Sequence, residues 1–166
     1  MYYADYDSPI GRLRIVAGES GELVRICLTD ELWEKFQNKH KEIRTEVNVV
    51  QPIIKQLEEY FHGERVRFSF PFNPEGTDFQ KKVWKQVHAI PYGDTKSYSA
   101  IAAKIGSPKA VRAVGNANRL NPIPIVVPCH RVIGKNQSMT GYAGGLRMKE
   151  ALLKLEGSLL NNSSPH

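Results

Sequence analysis

Polar and apolar residues alternate over Tyr2 to Asp7, Arg12 to Ala17 and Glu22 to Leu28, the period of half-buried strands. Ser8-Pro9-Ile10-Gly11 and Gly18 to Gly21 separate them as turns, so the chain opens with a small antiparallel sheet. Val49, Val50, Ile53, Ile54, Leu57 and Phe61 then recur at helical spacing, and Phe68, Phe70 and Phe72 alternate as in a further strand. Pro71, Pro74 and Gly76 interrupt any regular pattern after that. A boundary near Asn73 to Gly76 follows, dividing the chain into an α+β domain over 1–75 and a mainly helical domain over 76–166.

The second half begins with Thr77-Asp78-Phe79-Gln80, a capping box, and continues as the apolar stripe Phe79, Val83, Trp84, Val87. Pro91 ends that helix. Ser99 to Ile105 reads as a short helix closed by Gly106, and Ser107-Pro108 as the N-cap and first-turn proline of another reaching about Asn118. Two short helices joined by one tight turn make either a plain helical hairpin or a helix-turn-helix, here near 99–118.

The face of the second helix favours the latter. At about 100° per residue, Val111 and Val114 fall on one side while Lys109, Arg112, Asn116 and Arg119 gather on the other. Ala110, Ala113, Gly115 and Ala117 flank that basic face with side chains small enough for close approach to a groove. No acidic residue occurs between Asp94 and Glu150.

Charge sharpens the division. Residues 1–75 hold 10 Lys and Arg against 13 Asp and Glu, whereas 76–166 hold 13 against 4. A half carrying a net +9 suits a polyanionic partner, because its cations displace phosphate counterions. Two cysteines, Cys27 and Cys129, cannot form a disulfide framework, and with no further pair they do not suggest a thiolate metal site. The expected compartment is the reducing cytoplasm, with no leader at the amino terminus and no run long enough to cross a bilayer.

Cys27 reads as a small hydrophobe in its strand. Cys129 differs, because Asn121-Pro122-Ile123-Pro124-Ile125-Val126-Val127-Pro128 holds it on a stiff, non-helical segment and His130-Arg131 follows. A free thiol is only a few per cent ionised at neutral pH, so a nucleophilic cysteine needs a base or a cation beside it. Adjacent side chains of an extended strand face opposite ways, so Cys129 and His130 can cooperate only across a turn or through a water. Farther on, Leu146, Met148, Leu152, Leu153 and Leu155 form an apolar helical arc that also contains Lys149 and Glu156. Charges on a buried face need partners. Either they snorkel or pair with each other, or Glu156 orients His130, which activates Cys129.

Pro128-Cys129-His130-Arg131-Val132, with Asn121-Pro122 before it, Gly141-Tyr142-Ala143-Gly144-Gly145 after it and Arg112-Ala113-Val114-Gly115 in the second helix, resembles the signature of methylated-DNA–protein-cysteine methyltransferases. The likeness is close over 77–157 and holds only in outline over 1–75, where the family has a ribonuclease-H-like supporting domain. It implies direct-reversal DNA repair, in which the methyl or alkyl group of O6-alkylguanine passes once and irreversibly to Cys129. The resemblance also implies duplex DNA entered through the minor groove by a monomer, Arg112 filling the gap left by a flipped nucleotide, and Ala113 and Gly115 permitting close approach. Tyr98 rotates the nucleotide and bonds the base. Backbone groups of Cys129, Val132 and Ala143 read its edge, Tyr142 and Gly144 line the pocket, Asn121 holds the turn and Lys149 sits beside the site. His130, Glu156 and a water relay the thiol proton, with no cofactor or metal. Ala143 stands where the family often has serine, and the zinc site of some relatives is missing. Two other readings are a non-catalytic lesion-binding module and a hydrolase or acyltransferase of small molecules; the first leaves Cys129 without a purpose and the second the basic helix.

Overall fold

The computed structural model describes residues 1–134 and 141–158. They form two compact units, one ending at Glu75 and the next beginning at Gly76.

In the first unit, β1 (Tyr2–Ser8), β2 (Gly11–Ala17) and β3 (Leu23–Cys27) make an antiparallel meander, and the two-residue β4 (Arg44–Thr45) runs parallel to β1, giving the order β3-β2-β1-β4. Tyr2 pairs with Ala17 and Ser8 with Gly11, and a register shift at Val16/Ala17 precedes the end of the β2–β3 ladder. Helix α2 (Val47–Phe61) buries Val50, Ile53, Ile54, Leu57, Tyr60 and Phe61, the stripe its spacing predicts, and packs on β1 and β2.

Two features depart from the sequence reading. Helix α1 (Asp30–Lys39) fills the stretch between β3 and β4; Thr29 caps it by accepting the Leu32 N–H at 3.2 Å, and it buries Trp33 and Phe36. With only two residues on its buried face, it has too short a stripe to register as a period. Phe68, Phe70 and Phe72 do not form a strand. Their rings meet in sequence, the first pair tilted at 5.5 Å and the second edge-on at 6.4 Å between centroids, but Pro71 supplies no N–H, and only an isolated bridge from Phe72 to Leu23 joins the sheet.

The second unit contains α3 (Asp78–His88), α4 (Tyr98–Lys104), α5 (Val111–Arg119) and α6 (Leu146–Leu155), with a minimal parallel pair of β5 (Lys96–Ser97) and β6 (Val132–Ile133). The Thr77/Gln80 capping box of α3 is complete, and Trp84 of that helix donates its indole N–H to the Ala117 carbonyl of α5 at 2.8 Å. Gly106, at φ 79°, ends α4 in a Schellman turn: its N–H bonds Ala103 O, and the Ser107 N–H bonds Ala102 O.

Helix α5 begins later than expected. Ser107 to Ala110 form a turn closed by the Ala110 N–H on Ser107 O, and Val111 starts the helix with no side-chain cap, so Ser107 is not its N-cap. Ala117 also moves from the small-residue flank into the core. In α6, Lys149, Leu152 and Leu153 are buried as expected, but Leu146 is half exposed. Among the described residues, no helix is long and apolar enough to cross a membrane.

Candidate active site

Cys129 opens a single turn of 3-10 helix, Cys129–Arg131, directly after Pro128. Pro128, at φ −79° and ψ 66°, is the centre of an inverse γ-turn closed by the Cys129 N–H on Val127 O at 2.7 Å. Asn121 fixes the approach to it. Its Nδ2 donates to Val127 O at 2.8 Å and its Oδ1 accepts the Ile123 N–H at 3.0 Å. Between them Ile125 sits at φ 75°, a left-handed conformation costing a β-branched residue roughly 1–3 kcal/mol, which burial of its side chain helps to offset. The 3-10 turn replaces the extended geometry in which Cys129 and His130 would face opposite ways.

His130 is fully buried. Its Nε2 lies 2.8 Å from Glu156 Oε2, and Nδ1 has no hydrogen-bond partner among the described residues. Glu156, the C-cap of α6, is also gripped by Arg131, with Nε on Oε1 at 2.7 Å and Nη2 on Oε2 at 2.9 Å. The third arm, Nη1, donates to Ile90 O at 2.7 Å. Burial drives the Glu156 carboxyl upward, but hydrogen bonds from His130 and Arg131 outweigh it and hold the group at about 2. It is therefore ionised and must accept from Nε2–H, leaving the lone pair of a neutral His130 on Nδ1. Burial lowers the His130 pKa against the pull of Glu156, with Arg131 and Lys149 adding to the decrease.

The thiol of Cys129 is pushed up to about 11 by burial, while Asn121 and Lys149 pull the other way. It rests as S–H. Lys149, lowered to about 8 chiefly by burial, donates to Val132 O at 2.7 Å and lies 5.8 Å from the centre of the Tyr98 ring. Tyr98 is wedged among glycines. A Cβ on Gly141, which also has φ 66°, would come within 3.1 Å of the Tyr98 hydroxyl, whereas one on Gly115 would lie 3.8 Å from the ring. Gly115 thus turns toward Tyr98 instead of serving only as open helix surface. Tyr142 is buried with its hydroxyl unpaired among the described residues, and its pKa is raised by burial and then by Cys129.

The remaining candidates lie outward. Arg112 and Ala113 are exposed on α5 together with Asn116 and Arg119, which bond to each other at 2.7 Å; Ala143 is exposed and Gly144 half-buried beyond Tyr142.

Comparison with known proteins gives this arrangement its context. Residues 78–158 match a family model described as 6-O-methylguanine DNA methyltransferase, DNA binding domain, and residues 1–74 match the ribonuclease-like domain of the same enzyme. The constitutive methylated-DNA–protein-cysteine methyltransferase of Bacillus subtilis is 50% identical over 161 residues, covering 93% of this chain and 94% of that protein. The chain belongs to the methylated-DNA–protein-cysteine methyltransferase family. A member from Methanosarcina acetivorans is 48% identical, with 95% and 99% covered. A crystal structure of the Mycobacterium tuberculosis OGT in complex with DNA superposes with a TM-score of 0.86 at 44% identity, covering 95% of this chain and 94% of that one. The α+β fold and the activity of an O6-methylguanine-DNA methyltransferase acting in DNA repair are those of this family.

In a methyltransferase that uses a cysteine as acceptor, the surroundings of the two cysteines differ sharply. Cys27 sits with Val16, Trp33 and Phe36 in an apolar cluster, and burial raises it to about 11. Cys129 has the same high pKa but lies next in the chain to a neutral base. Sequence reasoning missed Asn118 and the partners of Arg131. Asn118 donates from Nδ2 to Cys129 O at 3.1 Å, and its signal was a polar side chain on the buried Val111/Val114 face. Arg131 was legible as a cation near the thiol, but its partners, Glu156 and Ile90, are remote in sequence. The carbonyls of Cys129 and Val132, two residues whose backbone groups the family likeness assigns to reading the base, are thus each held by a buried donor, Asn118 and Lys149.

Proposed function

We propose that Cys129 is the acceptor, taking the alkyl group from O6-alkylguanine in one irreversible event per molecule. The observation that carries the proposal is the buried Glu156–His130 pair, which leaves His130 Nδ1 as a bare base one residue from the thiol. In this reading Nδ1 takes the Cys129 proton through a water as sulfur attacks the alkyl carbon. The carbon–O6 bond breaks, its electron pair stays with guanine, and guanine takes up a proton, so none is gained or lost overall. The new thioether has no easy reversal. Activation belongs to the moment of reaction, because a thiol held at about 11 is not ionised beforehand.

The target atom is stacked inside duplex DNA, so the nucleotide must be flipped. Exposed Arg112 would occupy the gap from the minor groove, with Ala113 allowing approach and Gly115 giving room to Tyr98, which turns the nucleotide and bonds the base. Backbone groups of Cys129, Val132 and Ala143 would read the base edge, with Tyr142 and Gly144 lining the pocket. Asn121 holds the turn under the sulfur, and Lys149 fixes Val132. The protein would work as a cytoplasmic monomer on double-stranded DNA. The DNA-bound OGT structure supports that partner.

Duplex DNA carrying O6-methylguanine, mixed with the protein and followed by intact mass and peptide mapping, tests the proposal. The expected result is one methyl group per molecule, on the peptide containing Cys129. Cys129→Ala should bind the lesion and transfer nothing. Methyl on Cys27, or repeated turnover, would overturn the reading.

A further inference from the structure

Arg131 contacts neither the sulfur nor any atom that the proposed reaction touches, yet three of its donors are used inside the second unit. Its guanidinium lies 5.7 Å from the centre of the Tyr92 ring and satisfies both carboxylate oxygens of Glu156. Glu156 Oε2 is therefore shared between Arg131 and His130.

Building on the proposed relay, we infer that Arg131 is a positioning residue that keeps the proton-accepting nitrogen of His130 empty by supplying the positive charge that Glu156 requires. The argument is one of charge balance. A buried carboxylate is costly without a cation. With Arg131 present, Glu156 is matched and His130 can stay neutral, with Nε2–H bonded to the carboxylate and a lone pair on Nδ1. Without Arg131, the His130–Glu156 couple must bind one more proton to become neutral. It can hold that proton in two ways, as imidazolium facing carboxylate or as imidazole facing a carboxylic acid. In the first, both ring nitrogens carry hydrogen. In the second, the acid donates to Nε2, and the ring hydrogen moves to Nδ1. Both arrangements occupy Nδ1, so the base is lost either way.

The neighbouring charges do not replace Arg131. On α6, which packs against the 3-10 turn, Lys149 opposes protonation of His130 and has its ammonium on Val132 O. On α3, also packed against the turn, His88 feels Arg131, and its own pKa is lowered by burial and then by that guanidinium. Tyr92, in the turn after α3, is raised by burial and by Glu156 and stays neutral. Cys129 itself is a neutral thiol at rest.

The test is the pH dependence of methyl transfer under single-turnover conditions, read as the ratio of variant to wild-type rate constants. For Arg131→Met the ratio should fall at least tenfold between pH 9 and pH 6, because the fraction of molecules in which the couple lacks its extra proton shrinks as pH falls. Arg131→Met/Glu156→Gln removes both charges, and its ratio should be flat again, whatever its absolute value. Arg131→Lys keeps the charge and should also remain flat. A purely structural role predicts a loss that is uniform with pH, and a flat ratio for Arg131→Met overturns the inference. If that variant lacks a cooperative melt, the wild-type protein labelled with 15N-histidine decides. His130 should carry one ring hydrogen, on Nε2, at pH 7, and a hydrogen on Nδ1 at that pH overturns the inference. Absence of methyl on Cys129 in the wild type would instead sink the relay itself, so the two failures are distinct.

Discussion

Asn121 closes the segment before the thiol with two buried hydrogen bonds, to Val127 O and from the Ile123 N–H. Asn121→Ala leaves the Ile123 N–H buried without its acceptor and leaves Val127 O with the Cys129 N–H alone, which should cost about 1–3 kcal/mol for the unsatisfied N–H. A urea titration should show the lowered midpoint, and methyl transfer should slow because the γ-turn at Pro128 loses its support; an unchanged midpoint would refute this account. Much here was legible from residue types alone. Prolines 122, 124 and 128 announced a stiff non-helical run, and Glu156 stood out as an acid on an apolar arc. The left-handed Ile125 was not legible, since no β-branched residue favours φ 75° and only the surrounding packing imposes it. Nor was the choice of Arg131 for Glu156, 25 residues away, because local pattern carries no information about pairing across such a gap.

The α4–turn–α5 unit carries the next prediction. Arg112 is exposed on the outer side of α5, while Val114, Ala117 and Asn118 face the core. If Arg112 acts as the wedge, Arg112→Ala should slow reaction with O6-methylguanine in duplex DNA far more than reaction with the free alkylguanine base; equal losses would remove it from that role. Binding to duplex should also lose about one unit of salt slope if the guanidinium neutralises a phosphate. The helical period named the exposed side of α5 and Val114 opposite it, but left buried Ala117 on the flank and Asn118 unnamed. The start of the helix was misread for a physical reason: Ser107-Pro108 has the composition of an N-cap, but the Schellman turn at Gly106 leaves Ser107 to Ala110 as a separate turn first. Helix α1 shows the limit of the same method, since Trp33 and Phe36 alone do not establish a period.

For the protein as a whole, the buried couple at Glu156 links folding to pH. The folded carboxyl lies at about 2, below its ordinary 4.5, so its stabilisation is complete above 4.5 and is lost as pH falls toward 2. At about 1.4 kcal/mol per unit this is on the order of 3 kcal/mol. His130 acts in the same sense from a higher pH, because its lowered pKa means the unfolded chain binds a proton first. Glu156→Gln should be less stable than wild type at neutral pH, with Arg131 left unpaired, and the two stability curves should converge between pH 4.5 and 2. Thermal melts across that range test it, and parallel curves would contradict it. The division of charge between the two halves was readable directly from composition. A last consequence lies in the thiol kept protonated and 4% exposed. Oxidants and stray electrophiles attack thiolates that solvent can reach. A molecule with a single use gains nothing from a cysteine that is always reactive, and if Cys129 is the acceptor, its dark, neutral sulfur gives the protein a long waiting life before its one encounter with damage.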